Sequence, residues 1–551
     1  VSAKVFTLLS ICWVSLLFLT TAAPVSTTIV GTPLGSVQGL IEIAVNNQSY
    51  LSFRGIPYAK PPVGKLRFAK PESLPVSKSD SVIDATRFGA SCIQNVAELA
   101  PGETISEDCL FLNVYVKDLS RKQRKVLVWI HGGAFVFGSP YIYTPGSIVT
   151  NEDIIVVSIN YRLGVLGFLS TEDISGPGNY GLWDQISAIT WVKNNIEAFG
   201  GDANDITIAG ESAGGASASI LSISPATKDL FTKVYSHSGF ATSLFNNYKS
   251  AKSDAIALAK KLDCYQISSS SEAIIECLRN KPVSSLVPDV DPIRITFVPR
   301  VDEELLPRSP MKLFEDEEYL LGVGFHKRDY LIALNNNEAS AVHKRYYPAR
   351  DAFYFLFNGT TEQKDAIWKQ LIVATNVADR FEVQTPNASA VNVVSSWYEN
   401  RYDGQNGYPI LLTDVNFVIP AFDILDAASQ CPASRVWFTY FNHYPKYLTG
   451  PEKGMLHGLD IAYWFDVPLA TMNAFIQAGA VDDFTETDEK IKKIFTSFIG
   501  DFVRGQVDST RWPHYKPEDG LYLELNDQPV VKKQLAQETR HFWKTELPKS
   551  L

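Results

Sequence analysis

Ile206-Thr-Ile-Ala-Gly-Glu-Ser-Ala-Gly-Gly-Ala-Ser-Ala-Ser219 is the stretch on which the reading of the fold turns. Ile206–Ala209 is short, apolar and β-branched, the composition of a strand buried on both faces. Gly210-Glu-Ser-Ala-Gly214 fits the pattern G-x-S-x-G, and the small residues Gly215–Ser219 are able to start a helix. Alone the pentapeptide is a weak signal, because Gly and Ser are common. Between a strand and a helix it is a strong one, because a nucleophile elbow requires that strand–turn–helix setting. Glycines allow the tight turn, and the turn lifts the Ser212 hydroxyl above the sheet edge. The N-terminus of the following helix then offers backbone N–H groups to a developing anion. A Gly-rich turn with an incidental Ser needs none of this context.

Reading outward, Val126-Leu-Val-Trp-Ile130 and Ile154-Ile-Val-Val-Ser-Ile159 are further continuous apolar runs. Between the second of these and Ile206–Ala209 lies Leu182–Phe199, where Ile186, Ile189, Val192 and Ile196 recur at helical spacing. Strand, helix, strand predicts a mostly parallel central sheet flanked by helices. Two more strands are expected at Tyr330–Leu334 and Arg435–Phe441. His131-Gly-Gly-Ala-Phe135 directly follows the first run, and a Gly-rich loop there brings the N–H groups of Gly133 and Ala134 toward a substrate oxygen. With Ala213 beside the nucleophile, these form a candidate oxyanion hole, in which one donor is typically worth roughly 3–4 kcal/mol of transition-state stabilisation. The competing reading is a tight turn without a catalytic role.

The 551 residues are 45% hydrophobic and 20% charged, an ordinary globular composition. No linker or solenoid repeat divides the chain, so 24–551 is expected to form a single domain despite its length. A formal net charge of −10 without a long basic run argues against nucleic acid as a partner. Lys4, the apolar run Val5–Leu19 and the small residues before Pro24 predict a secretory signal over 1–23, cleaved after Ala23. A membrane anchor is the alternative, but the run is short for a span, and no second such run follows. The chain begins with Val1 rather than Met, so a start upstream is expected.

Of six cysteines, Cys12 leaves with the signal. Cys92 and Cys109, and Cys264 and Cys277, are close enough in sequence to close short loops in an oxidising compartment, although spacing alone does not decide the pairing. Cys431 is expected to be a buried free thiol. Asn47-Gln-Ser, Asn358-Gly-Thr and Asn387-Ala-Ser are candidate glycan acceptors in a secreted chain.

Three longer motifs now bear on family. Phe199-Gly-Gly-Asp-Ala-Asn-Asp-Ile-Thr-Ile-Ala-Gly-Glu-Ser-Ala-Gly214 resembles the active-site signature of the type-B carboxylesterase/cholinesterase family. Glu107-Asp-Cys-Leu-Phe-Leu-Asn-Val114 resembles its second signature, and Phe53-Arg-Gly-Ile-Pro-Tyr-Ala59 its N-terminal block. The likeness runs from about Thr28 to Trp543, and in overall texture is nearest to secreted insect esterases. It implies an α/β-hydrolase fold and a Ser–Glu–His triad. Glu338, in Leu334-Asn-Asn-Asn-Glu338, matches the acid, and His457, in Gly454-Met-Leu-His-Gly-Leu-Asp460, matches the base. His343, His443, His514 and His541 also follow Glu338 but lack that Gly-flanked loop and the downstream Asp460 and Tyr463. The resemblance also implies disulfides Cys92–Cys109 and Cys264–Cys277. No metal or organic cofactor is required, and no zinc-type cluster is seen.

Departures from the family's better-known members narrow the expected substrate to a small uncharged ester. Cholinesterases hold the substrate cation on a Trp between the first two cysteines, whereas Ile93–Asp108 contains no aromatic residue. Juvenile hormone esterases usually carry Gln where this chain has Glu211. A general, xenobiotic, odorant or pheromone esterase remains. Phe135, Phe137 and Phe240 are candidates either for its apolar pocket or for ordinary core. A non-catalytic adhesion or ligand-binding protein, a slow sequestering protein and a lipase are the competing classes; the complete triad argues against the first, and no lid stands out for the last.

Overall fold

The computed structural model describes residues 26–75, 82–94, 99–243, 251–287, 297–338, 360–383, 385–402, 407–448, 454–469, 471 and 483–551. The proposed signal over 1–23 and the glycan candidate Asn358 lie outside the described residues.

The apolar runs form the middle of one sheet, to which thirteen strands contribute among the described residues. Seven neighbours run parallel, in the order Ile155–Ile159, Arg124–Ile130, Gly201–Glu211, Lys233–His237, Asp329–Asn335, Val436–Phe441 and Leu521–Leu525. Side chains alternate across such a sheet. Val126, Val128 and Ile130 enter one core, with helices Tyr180–Asn195, Ala213–Ser222 and Ile419–Ser429. Leu127 and Trp129 enter the other, with helix Glu486–Arg504 and the turn Ile461–Trp464. Both faces are covered, so the middles of these strands read as nearly unbroken apolar runs, as in Val126–Ile130. This is the α/β-hydrolase architecture.

The expected elements are present with shifted ends. The strand at Ile206–Ala209 extends over Gly201–Glu211, and the helix over Leu182–Phe199 is α from Tyr180 to Asn195, closing with a 3-10 turn at Ile196–Phe199. The antiparallel strands Thr27–Thr32, Gly35–Ile43 and Ser49–Pro57 extend one edge and had no counterpart in the sequence reading. Their outer face leaves Ile29, Ile41 and Ile43 exposed, so the contrast that marks a strand in sequence is weak there.

Cys92–Cys109 and Cys264–Cys277 are bonded. Cys431 is unpaired, but it is half-buried rather than buried, because it sits in the turn leaving helix Ile419–Ser429.

One ion pair ties the segment after Ile155–Ile159 to the helix beneath the sheet. Asp184, fully buried, accepts from the Arg162 backbone N–H at 3.0 Å, Nε at 2.7 Å and Nη2 at 2.8 Å. Asp184→Asn leaves the buried guanidinium uncompensated. It is expected to cost about 3–5 kcal/mol of stability, seen as a lower denaturant midpoint by tryptophan fluorescence; an unchanged midpoint would contradict it.

Candidate active site

The nucleophile candidate stands at the carboxyl end of the central strand. Ser212 follows Gly201–Glu211 and caps helix Ala213–Ser222, with φ 56° and ψ −124°. A non-glycine residue held there is strained, and such strain persists only where the surroundings over-determine it. Here the Ser212 N–H donates to the His237 carbonyl at 2.9 Å and its carbonyl accepts from the Ala216 N–H at 2.9 Å. Gly214 is required by close approach: a Cβ there would lie 2.0 Å from the Ile130 carbonyl oxygen.

Two loops from neighbouring strand ends reach Ser212. Glu338 follows Asp329–Asn335, and His457 lies beyond Val436–Phe441. The loops are stitched together: the Asn337 N–H donates to the Met455 carbonyl at 3.2 Å, and the Met455 N–H donates to Asn336 Oδ1 at 2.6 Å. His457 Nδ1 then lies 2.8 Å from Glu338 Oε2, and its Nε2 lies 2.9 Å from Ser212 Oγ. A carboxylate only accepts. Nδ1 therefore carries a hydrogen, and in the neutral ring Nε2 is bare and able to accept the Ser212 proton. Glu338 is completely buried, whereas Ser212 is half-buried and open to a ligand. The structure thus brings Ser212, His457 and Glu338 into one hydrogen-bonded chain.

The loop after Arg124–Ile130 passes over the nucleophile. A Cβ on Gly132 would lie 3.1 Å from Ser212 Cβ. Gly133 and Ala134 have φ +106° and 54°, which turns this backbone away from sheet geometry. His131 anchors the loop, stacked on Tyr161 at 4.4 Å, while the Tyr161 hydroxyl donates to the His131 carbonyl at 2.9 Å. Burial pushes the His131 imidazole down to about 4, so it is neutral at neutral pH. Phe135 and Phe240 are fully buried in the main core, Phe135 lying edge-on to Phe168 at 5.3 Å, so both are packing residues. Phe137 is only half-buried.

Four residues add contacts to this chain that the sequence does not assign to them. Ser238 Oγ and the Asn335 N–H both donate to Glu338 Oε1, at 2.5 and 2.8 Å. Both residues sit at strand ends, a position that marks nothing in the sequence as a partner of Glu338. Phe417, in a π-helical turn at Asp414–Val418, lies 5.0 Å from the His457 ring. Glu211 Oε1 lies 3.4 Å from His457 Nε2. Burial drives the Glu211 carboxyl up, and Asp460 and Glu338 add to this against the opposing His457. Burial alone would lower His457, but Glu211 first, then Glu338 and Asp460, hold it above its ordinary value. Among the described residues no group of His, Cys, Asp and Glu could hold a metal ion.

The model of the carboxylesterase family matches residues 26–543. The chain belongs to the carboxylesterase family. This esterase is 32% identical to human (Homo sapiens) cocaine esterase over 96% of its own length and 92% of that protein. It is 32% identical to mouse (Mus musculus) acylcarnitine hydrolase, over 96% of its length and 93% of that protein. Mouse cholinesterase is 31% identical, over 95% of this chain and 87% of that protein. The esterase is a carboxylic ester hydrolase, and no helix of its described residues is long and apolar enough to cross a membrane.

Proposed function

We propose that the protein is a secreted serine esterase that cleaves small uncharged carboxylic esters through an acyl-enzyme on Ser212. The observation that carries this is the unbroken Ser212–His457–Glu338 hydrogen-bond chain. His457 takes the Ser212 proton as Oγ attacks the ester carbonyl. Glu338 orients the imidazole and stabilises its cation. The oxyanion that forms is met by the N–H groups of Gly133, Ala134 and Ala213. His457 then protonates the leaving alcohol, and water, activated by the same ring, releases the acid.

Residues 1–23 act as the secretory leader, and 24–551 as one hydrolase domain. The two disulfides support an oxidising destination. Asn47 is the best-placed glycan acceptor, exposed in a turn. Asn387 is also exposed, but its Nδ2 already donates to the Ser550 and Leu551 carbonyls. Odorant, pheromone or xenobiotic esters of an insect fit the uncharged substrate class, because the Cys92–Cys109 loop offers no aromatic face to a choline cation.

The test is hydrolysis by the chain from Pro24 of p-nitrophenyl acetate, longer aliphatic esters and acetylthiocholine. Preference for the uncharged esters is expected. A folded protein inert on every ester would favour a non-catalytic binding protein, and preference for acetylthiocholine would overturn the substrate class.

The acid limb of the pH profile carries a further expectation. His457 works as a base only when neutral, so kcat/KM rises with pH through its titration. Glu211→Gln deletes the charge that does most to raise His457. The limb should therefore move to lower pH by about one unit. A limb that stays in place or moves upward would contradict this assignment of the Glu211 charge.

A further inference from the structure

Behind the triad lies a second, fully buried polar group. His237 ends the strand Lys233–His237, Asn335 ends the neighbouring strand, and Asp460 follows His457 by three residues; none is more than 2% exposed. Asn335 Nδ2 donates to Asp460 Oδ1 at 2.8 Å and to the Leu456 carbonyl at 3.3 Å, while its backbone N–H donates to Glu338 Oε1 at 2.8 Å. With both Asn335 amide hydrogens directed at oxygens, its Oδ1 is left as an acceptor. It lies 3.1 Å from His237 Nε2, so Nε2 carries a hydrogen. The other ring nitrogen, Nδ1, lies 3.0 Å from the Tyr235 hydroxyl and 3.1 Å from Asp460 Oδ2. A bare lone pair there would face a carboxylate oxygen. Asp460 Oδ2 accepts no directed hydrogen bond among the described residues, and burial pushes its carboxyl up, with His237 first and then Asn335 opposing that shift; an ionised Asp460 in this interior therefore needs a positive partner.

We propose that His237 is a positioning residue of the esterase reaction: as an imidazolium it neutralises Asp460 and, with Asn335, holds the Glu338 and His457 loops in register behind the nucleophile. This rests on the serine-esterase reading and extends it to the charge behind the triad. The titratable groups that share this interior are Glu211, Glu338 and His457, with the hydroxyls of Tyr143, Tyr235 and Tyr447; the Phe495 ring closes the side toward helix Glu486–Arg504. Asp460 is one of the charges that raise His457. An imidazolium on His237 limits that effect, because the pair is neutral as a unit.

The consequences separate positioning from mere packing. His237→Gln keeps an amide able to donate to Asn335 but carries no charge. Asp460 is then uncompensated, the acid limb of kcat/KM should move upward by roughly 0.5–1 pH unit, and kcat should fall about 10- to 100-fold as the loops lose register, with KM little changed. Asp460→Asn added to His237→Gln removes the stranded charge and should return the limb to its wild-type position. Rates are taken per active site, counted by the burst of p-nitrophenol from p-nitrophenyl acetate, so that misfolded protein does not enter. A limb moved by His237→Gln and restored in the double variant supports the proposal. A limb that stays at the wild-type position in His237→Gln, whether or not kcat falls, marks a merely structural histidine and overturns it. Wild type that gives neither burst nor turnover defeats the esterase reading itself, before any variant is compared.

Discussion

Ser212→Ala is expected to lower kcat on p-nitrophenyl acetate by about 10^5–10^6-fold, the scale of nucleophile removal in serine hydrolases. The reason is geometric. Ser212 Oγ lies 2.9 Å from His457 Nε2, the nitrogen that carries no hydrogen in the neutral ring, so the hydroxyl and base form a single reacting unit. No other hydroxyl in the described residues is bonded to that nitrogen. Ala removes the oxygen while leaving the turn intact, because the backbone bonds to His237 and Ala216 do not involve the side chain. Residual hydrolysis would come from the oxyanion donors and from binding, which alone give about 10^3–10^4 over water. The check is steady-state turnover together with the burst: the variant should show no burst and an unchanged melting temperature. An Ala variant that keeps more than about 1% of wild-type kcat would remove Ser212 from the mechanism.

How far the site could be read in advance depended on whether each residue acts through its chain neighbours. The elbow was legible because Gly210, Ser212 and Gly214 and the strand before them are contiguous, and local sterics alone demand them there. The fully buried parallel strands were legible because two-sided burial leaves an unbroken apolar run. Glu338 and His457 were reachable only through the resemblance. Their loops meet through Asn336, Asn337 and Met455, more than a hundred residues apart, and nothing in the spacing encodes that meeting. Phe417 and Asn335 stayed hidden for the same reason. Phe135 and Phe240 were undecided, since an aromatic beside a catalytic motif has the same composition whether it faces a ligand or the core; the fold puts both in the core.

Glu338→Gln is the second large effect expected, a fall in kcat of about 10^4-fold with little loss of stability. Size and shape are kept, so the argument concerns only which atoms donate. Glu338 Oε1 accepts from the Asn335 N–H and the Ser238 hydroxyl, and Oε2 accepts from His457 Nδ1. A Gln side chain must place its carbonyl oxygen toward the Asn335 N–H, because a fixed backbone donor cannot face an NH2 group without loss. Its amide nitrogen then faces His457 Nδ1 and donates to it. The imidazole answers by moving its hydrogen to Nε2, and a protonated Nε2 cannot accept the proton of Ser212. The tautomer is wrong although every distance is preserved. The cation that forms on His457 during attack also loses the anion beside it. Glu338→Asp keeps the charge but shortens the reach to Nδ1, and should retain more activity than Gln. If Gln were equal to or better than Asp in kcat, the acid would be serving only as a steric support for His457.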